Sequence, residues 1–155
     1  MRTRGSEVTT ALSTRAASAG LLAIAGLHVI WATGSSWPLP DADELADAVA
    51  GKSAGPAPSA AACLAVAGLL TTAAALVAGY PRRVPGLSRA GAGGVVAVLV
   101  TRGALGMAGR TDVLAPGSTS ERFRRRDRLV YSPVCLTLAA LASPAVRSAA
   151  QRPPS

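Results

Sequence analysis

Few residues in this chain have side chains that could do chemistry, and they fall into three patches. The first holds His28 with Trp31. They are three apart, so a helix would put them on one face. The second is Arg102, a charge inside an apolar run. The third reads ERFRRRDRLVYSPVCL from residue 121. It gathers Arg122, Arg124, Arg125, Arg126 and Arg128 around Asp127 and then turns apolar toward Tyr131 and Cys135. A histidine can move protons near neutral pH. Arginine forks suit phosphate and carboxylate oxygens, and an ionisable residue in a membrane segment marks a functional site by default. No catalytic set completes itself, because there is one histidine and no pair of carboxylates within the apolar runs. Cys63 and Cys135 form no C-x-x-C and no zinc spacing, and read as free packing thiols. The pattern names no cofactor and no metal.

Each residue also has a plain structural role open to it. His28 can bond a backbone carbonyl or water near the interface. Trp31, Trp37 and Tyr131 suit interface anchors. Arg102 either snorkels outward or turns inward to an acid, for which Asp127 is the nearest candidate. The arginine run reads as a solvated or head-group-contacting loop.

The elements that must position these residues follow from composition. The chain has 155 residues, half of them hydrophobic but only 3% aromatic, with mean hydropathy +0.36. The apolar content is mostly Ala, Leu, Val and Gly, which lets helices approach closely in lipid. The net charge of +8 could suggest nucleic acid. Many arginines flank apolar runs instead, where they anchor membrane segments, so nucleic acid is not the expected partner.

Four apolar segments are long enough to span, at residues 17–34, 59–80, 91–108 and 132–146; about 20 residues is the norm. The first is basic before its apolar centre, as in a signal peptide. His28, Trp31 and Trp37-Pro38 argue for an uncleaved helix instead. The 59–80 run is uncharged, ends at Tyr80 and stops at Pro81. Arg82, Arg83 and Arg89 read as a short basic loop, and residues 110–128 as a long one. Ser132 and Pro133 suit the N-cap and first position of the fourth helix. Between the first two spans, residues 40–51 read as a short acidic helix, capped by Asp41 and ended by Gly51. The expected fold is an all-α integral membrane bundle of four helices. It has a cytoplasmic N-terminal segment over residues 1–16 and a disordered cytoplasmic tail over 147–155.

Charge sets the expected orientation. Arg2, Arg4, Arg15, Arg82, Arg83, Arg89, Arg147 and Arg152 share one side with only Glu7 against them. That side is expected to be cytoplasmic. Arg110 and the five clustered arginines pull the other way, although acidic Asp41, Asp43, Glu44 and Asp47 share their side. His28, Trp31, Arg102, Asp127 and Tyr131 then fall near one end of the bundle, the outer one, and are expected to share a cleft.

Three patches of sequence resemble the small bacterial membrane proteins of domain-of-unknown-function family 3995. Residues 26–32, GLHVIWA, are similar to its first-helix motif, with Ile30 where a tyrosine is common, and Trp37-Pro38 follows in place. Residues 102–109 are similar to a weaker Arg–Gly patch. Phe123, Asp127, Tyr131, Ser132, Pro133, Cys135 and Leu136 match its F-x-x-x-D…YSPLCL segment, with Val134 for leucine. The chain departs at Gly109-Arg110-Thr111-Asp112, where some relatives carry Gly-Asp-Phe-Arg. The resemblance implies four membrane helices and supplies no reaction.

Three functions fit these readings. The first is binding of a lipid head group or a protein partner at the outer face, with membrane lipids as partners and room for a homo-oligomer. The second is a membrane enzyme or small-molecule site using His28, Arg102 and Asp127. The third is a small transport subunit that uses the same residues.

Overall fold

The computed structural model describes residues 4–51, 58–114 and 120–147. The tail expected to be disordered lies outside these residues from 148 onward, as do Met1 to Thr3. The described residues form only helices: α1 (Arg4–Ala32), α2 (Ala42–Ala50), α3 (Ala60–Val77), α4 (Pro85–Met107), α5 (Thr111–Leu114), α6 (Glu121–Arg126) and α7 (Ser132–Arg147), with a π-helical turn over Asp127–Tyr131 joining the last two. Four helical stretches are long and apolar enough to cross a membrane: α1, α3, α4 and the continuous run Glu121–Arg147. The protein is a multi-pass, all-α membrane bundle. Each span pairs its backbone groups internally, as lipid requires.

Three boundaries differ from the expected ones, each for a local reason. Helix α1 begins at Arg4 and not near residue 17, because the preceding segment holds no helix breaker except Gly5. Helix α4 begins at Pro85, whose missing N–H costs nothing in a first turn. Arg89 therefore lies inside the helix, and the basic loop shrinks to the turn before it. The largest change is in the fourth span. Ser132 does not cap it. The helix starts eleven residues earlier, where the Ser120 side chain accepts from Phe123 N. Arginine is a good helix former, so the basic run is helical and not loop.

Glycines set the close crossings. A Cβ on Gly20 would come within 2.7 Å of Leu138 on α7. One on Gly91 would meet Leu76 of α3 at 2.7 Å, and one on Gly103 would meet Leu136 of α7 at 2.6 Å. Each span packs on two neighbours, giving a ring in the order α1, α3, α4, α7. Its centre is a small core of Ala17, Leu21, Ala74, Val77, Leu138 and Ala142. Hydrogen bonds to backbone supplement it, as where Ser18 Oγ donates to Ala74 O at 3.0 Å. Large apolar residues such as Leu22, Leu64, Leu69 and Val98 point outward. In water these would be an aggregation hazard, whereas lipid is their natural solvent.

Helix α2 connects the first two spans at one end of the bundle. Asp41 caps it by accepting from Glu44 N at 2.8 Å. Gly51 ends it in the left-handed region at φ 65°, which a glycine adopts at little cost.

Candidate functional site

Among the described residues, the most buried polar side chains are Asp127 and Ser132, where the π turn and the start of α7 meet α4. Arg102 and Gly106 are four apart on α4 and so share a face. Opposite them the chain is forced out of α-geometry. Pro133 has no N–H to donate to the Leu129 carbonyl, and its ring would press on that carbonyl. The helix widens instead into the π turn, where Ser132 N donates to Asp127 O. Both Asp127 and Ser132 have no exposed surface.

Arg102 turns inward. Its Nη2 donates to Asp127 Oδ1 at 2.5 Å. A carboxylate this deep needs a paired charge, and the Arg102 side chain keeps 29% of its surface exposed. Gly106 permits the approach. A Cβ there would lie 2.5 Å from Asp127 Oδ2 and 2.9 Å from Arg102 Nη1, and would overlap Ser132 Oγ. These same three atoms, Arg102 Nη1, Asp127 Oδ2 and Ser132 Oγ, have no hydrogen-bond partner among the described residues. So two donors and an acceptor converge over Gly106, with further capacity to bond.

Tyr131 belongs to the same π turn but points toward α2. Its hydroxyl donates to Ala48 O at 2.8 Å, and its ring centroid is 6.3 Å from that of Phe123. Ser120 N donates to Gly51 O at 3.3 Å. Together these bonds fasten the C-terminal end of α2 to the start of the fourth span. A cleft of about 400 Å³ opens beside them, lined by Asp43, Glu44, Asp47, Ser120, Glu121, Arg122 and Arg126. The acidic and basic segments thus lie on the same end of the bundle and face each other.

The remaining arginines face away from α2. Arg124 Nη2 donates to Glu121 at 2.6 Å. Arg128 reaches over Gly109, where an added Cβ would stand 2.7 Å from its Nη2. A second cleft of about 510 Å³ lies here, lined by Gly109, Glu121, Arg124, Arg125, Arg128 and Leu129. The arginine run is therefore split between two clefts, which an unfolded loop would not do.

His28 and Trp31 form a separate unit. His28 Nδ1 bonds Ile24 O at 2.9 Å. Its ring lies tilted on Trp31 with centroids 4.8 Å apart, and Trp31 Nε1 donates to Trp37 O at 2.8 Å. Among the described residues, no hydrogen bond or ion pair joins this unit to Arg102 or Asp127. Cys63 and Cys135 are free thiols, and no three His, Cys, Asp or Glu side chains among the described residues group as metal ligands.

Sequence reasoning missed the role of Ser132 and read only part of that of Gly106. Ser132 looked like a cap, yet it is a buried hydroxyl aimed at α4. Gly103 and Gly106 suit the close approach of a neighbouring helix, as the structure shows, but the three polar atoms that face Gly106 were not foreseen. The available signals were a proline directly after Ser132 inside an apolar run and a glycine four residues after Arg102.

Neither the curated proteins nor the solved structures contain a match to this chain. The family described as a protein of unknown function (DUF3995) matches residues 21–142, from the middle of α1 to the middle of α7. That span contains the π turn, the Arg102–Asp127 pair and both clefts, and the chain belongs to this family.

Proposed function

We propose that this membrane protein binds an anionic lipid head group in the cleft between Gly109 and the basic start of its fourth span. One observation carries the reading. Arg124, Arg125 and Arg128 converge on a cleft whose remaining wall includes Leu129, an apolar side chain 61% exposed. Arginine forks match phosphate oxygens, and the leucine at the lip suits the start of an acyl chain. Basic residues beside a membrane helix favour anionic lipid by about 1 kcal/mol each near the surface. The arrangement of charges along the chain supports cytoplasmic ends and an outward-facing cleft.

The test is lipid copurification. The protein would be extracted in mild detergent and its retained lipids identified by native mass spectrometry. Anionic lipid should be enriched over the membrane average, and the Arg124→Gln, Arg125→Gln, Arg128→Gln variant should lose that enrichment. Retention of neutral lipid alone, or equal retention by the variant, would sink the proposal.

A second reading, a small-molecule or transport site, draws on the convergence of Arg102 Nη1, Asp127 Oδ2 and Ser132 Oγ over Gly106. Three buried polar atoms with spare bonding capacity suit a small polar guest in passage. The bonding of His28 to Ile24 gives no support to its role as acid or base in that site. Uptake of labelled polar solutes by proteoliposomes tests this reading, with Asp127→Asn as the comparison. Uptake no faster than that of protein-free vesicles would end it.

A further inference from the structure

The cleft between α2 and α6 has acids on one wall and arginines on the other that form no ion pair with each other. On α2, Asp43 and Asp47 are four apart and Glu44 is three from Asp47, so the three carboxylates share a face. On α6, Arg122 and Arg126 are likewise four apart. These five side chains line one cleft of about 400 Å³, yet no ion pair crosses it among the described residues. The walls are held in place at one end by the Tyr131 bond to Ala48 and the Ser120 bond to Gly51. Those bonds seat α2 close enough to form a cleft while leaving the acids and arginines apart. The volume is within the range of small-ligand sites, roughly 300–1,000 Å³.

We propose that this cleft binds a zwitterion carrying a primary ammonium and a phosphate a few atoms apart, as in a phosphoethanolamine group. Arg122 and Arg126 hold the phosphate, to which guanidinium groups donate in pairs. Asp43, Glu44 and Asp47 accept from the ammonium, which brings three N–H donors. A quaternary ammonium has no such donors and is usually held by aromatic faces. The six charged lining groups, Glu121 of α6 among them, are carboxylates and guanidinium groups, so the cleft should prefer the primary amine. Its position between two interhelical segments, at the end of the bundle where the fourth span begins, gives access both to head groups in the bilayer and to soluble molecules. The proposal is independent of the Gly109 cleft, because it requires the α2 acids and that cleft does not contain them.

The decisive comparison uses the full-length wild-type protein in an uncharged detergent. Calorimetry would measure glycerophosphoethanolamine against glycerol phosphate and glycerophosphocholine. In parallel, native mass spectrometry would measure retention of phosphatidylethanolamine from nanodiscs of mixed phosphatidylethanolamine and phosphatidylcholine. The ethanolamine compound or lipid should be preferred by about tenfold, the worth of one charge-assisted hydrogen bond. Preference in both arms assigns the chemistry to free and membrane-held ligands alike. Preference only in nanodiscs assigns it to the lipid, and preference only in calorimetry to a soluble compound. Asp43→Asn with Asp47→Asn should remove the preference for the amine while sparing phosphate affinity, and Arg122→Gln with Arg126→Gln should weaken all phosphate ligands by about tenfold or more. The wild-type comparison stands whatever the variants do to folding. No binding in either arm overturns the proposal, and so does glycerol phosphate binding as well as its ethanolamine ester.

Discussion

Arg102 on α4 donates to Asp127 on the π turn at 2.5 Å, and Asp127 is wholly shielded from solvent. The pair joins the third and fourth spans where the basic segment gives way to apolar helix. Removing one member of a buried pair typically costs about 3–5 kcal/mol, because the other charge is left unpaired. Arg102 is partly exposed, so its orphaned charge finds some solvent and Asp127→Ala should fall at the low end. Arg102→Met should fall at the high end, since it leaves Asp127 alone. The double variant Arg102→Met, Asp127→Leu should recover much of either loss. Thermal unfolding in mild detergent reads all three, and wild-type melting of Arg102→Met would show that the pair contributes nothing to the seam.

Gly106 predicts a sharper contrast. Its missing Cβ is the space occupied by Ser132 Oγ and approached by Asp127 Oδ2. Gly106→Ala should push α4 from α7 and destabilise by about 1–3 kcal/mol, the usual range for overpacking. Gly93, on the same helix, has nothing within 4 Å of its would-be Cβ. Gly93→Ala should be neutral or slightly stabilising, because alanine favours helix. Unfolding of the two variants side by side checks this, and equal melting temperatures would refute the role given to Gly106.

How much of this was legible in the sequence varies by element, for physical reasons. The uncharged run ending at Tyr80-Pro81 announced α3, since few alternatives exist for so long an apolar stretch. Asp41 and Gly51 announced both ends of α2, because caps are local chemistry. The Arg102 pairing was readable as an option, because a charge in lipid needs a partner and Asp127 is the acid at that depth. The helical form of the arginine run was hidden. Charge suggested loop, whereas helix propensity and the Ser120 cap decided the matter. The π turn and the role of Ser132 were hidden more deeply, since they arise where Pro133 meets a neighbouring helix with a glycine at the contact. The bonding of His28 to Ile24 O and its tilted contact with Trp31 could not be read either, because sequence fixes depth better than rotation.

Tyr131 should act as the clasp of α2. Its hydroxyl is bonded to Ala48 O, and Tyr131→Phe removes that bond with the ring retained. The global cost should be small, about 0.5–1.5 kcal/mol. The local effect should be larger, with amides of α2 exchanging faster with deuterium while those of α3 and α4 stay unchanged. Hydrogen exchange with mass spectrometry separates the two. Unchanged exchange in α2 would mean that its burial of Leu45 and Ala46 suffices to hold it.

Orientation gives the last prediction. Arg82 and Arg83 lie between the second and third spans, Arg89 lies near the start of the third, and Asp41, Asp43, Glu44 and Asp47 lie between the first and second. Lys and Arg near span ends favour the cytoplasm, whereas Asp and Glu contribute little. The five arginines beyond Ser120 oppose this pattern. They begin a helical run continuous with the fourth span, and two of them face the acids of α2 across a shared cleft. Eight arginines still fall on the side of the chain ends against six arginines and Lys52 on the other, so both chain ends should be cytoplasmic. Single cysteines would replace Ala42, Val84 and Val113, three exposed positions, in a Cys63→Ser, Cys135→Ser background. A membrane-impermeant maleimide added to intact cells should label the Ala42 and Val113 positions and spare Val84 until the cells are broken. The reverse pattern would invert the bundle and place both clefts in the cytoplasm. Unequal labelling of the Ala42 and Val113 positions would contradict the four-span topology itself, because two spans separate them and both must then lie on one side.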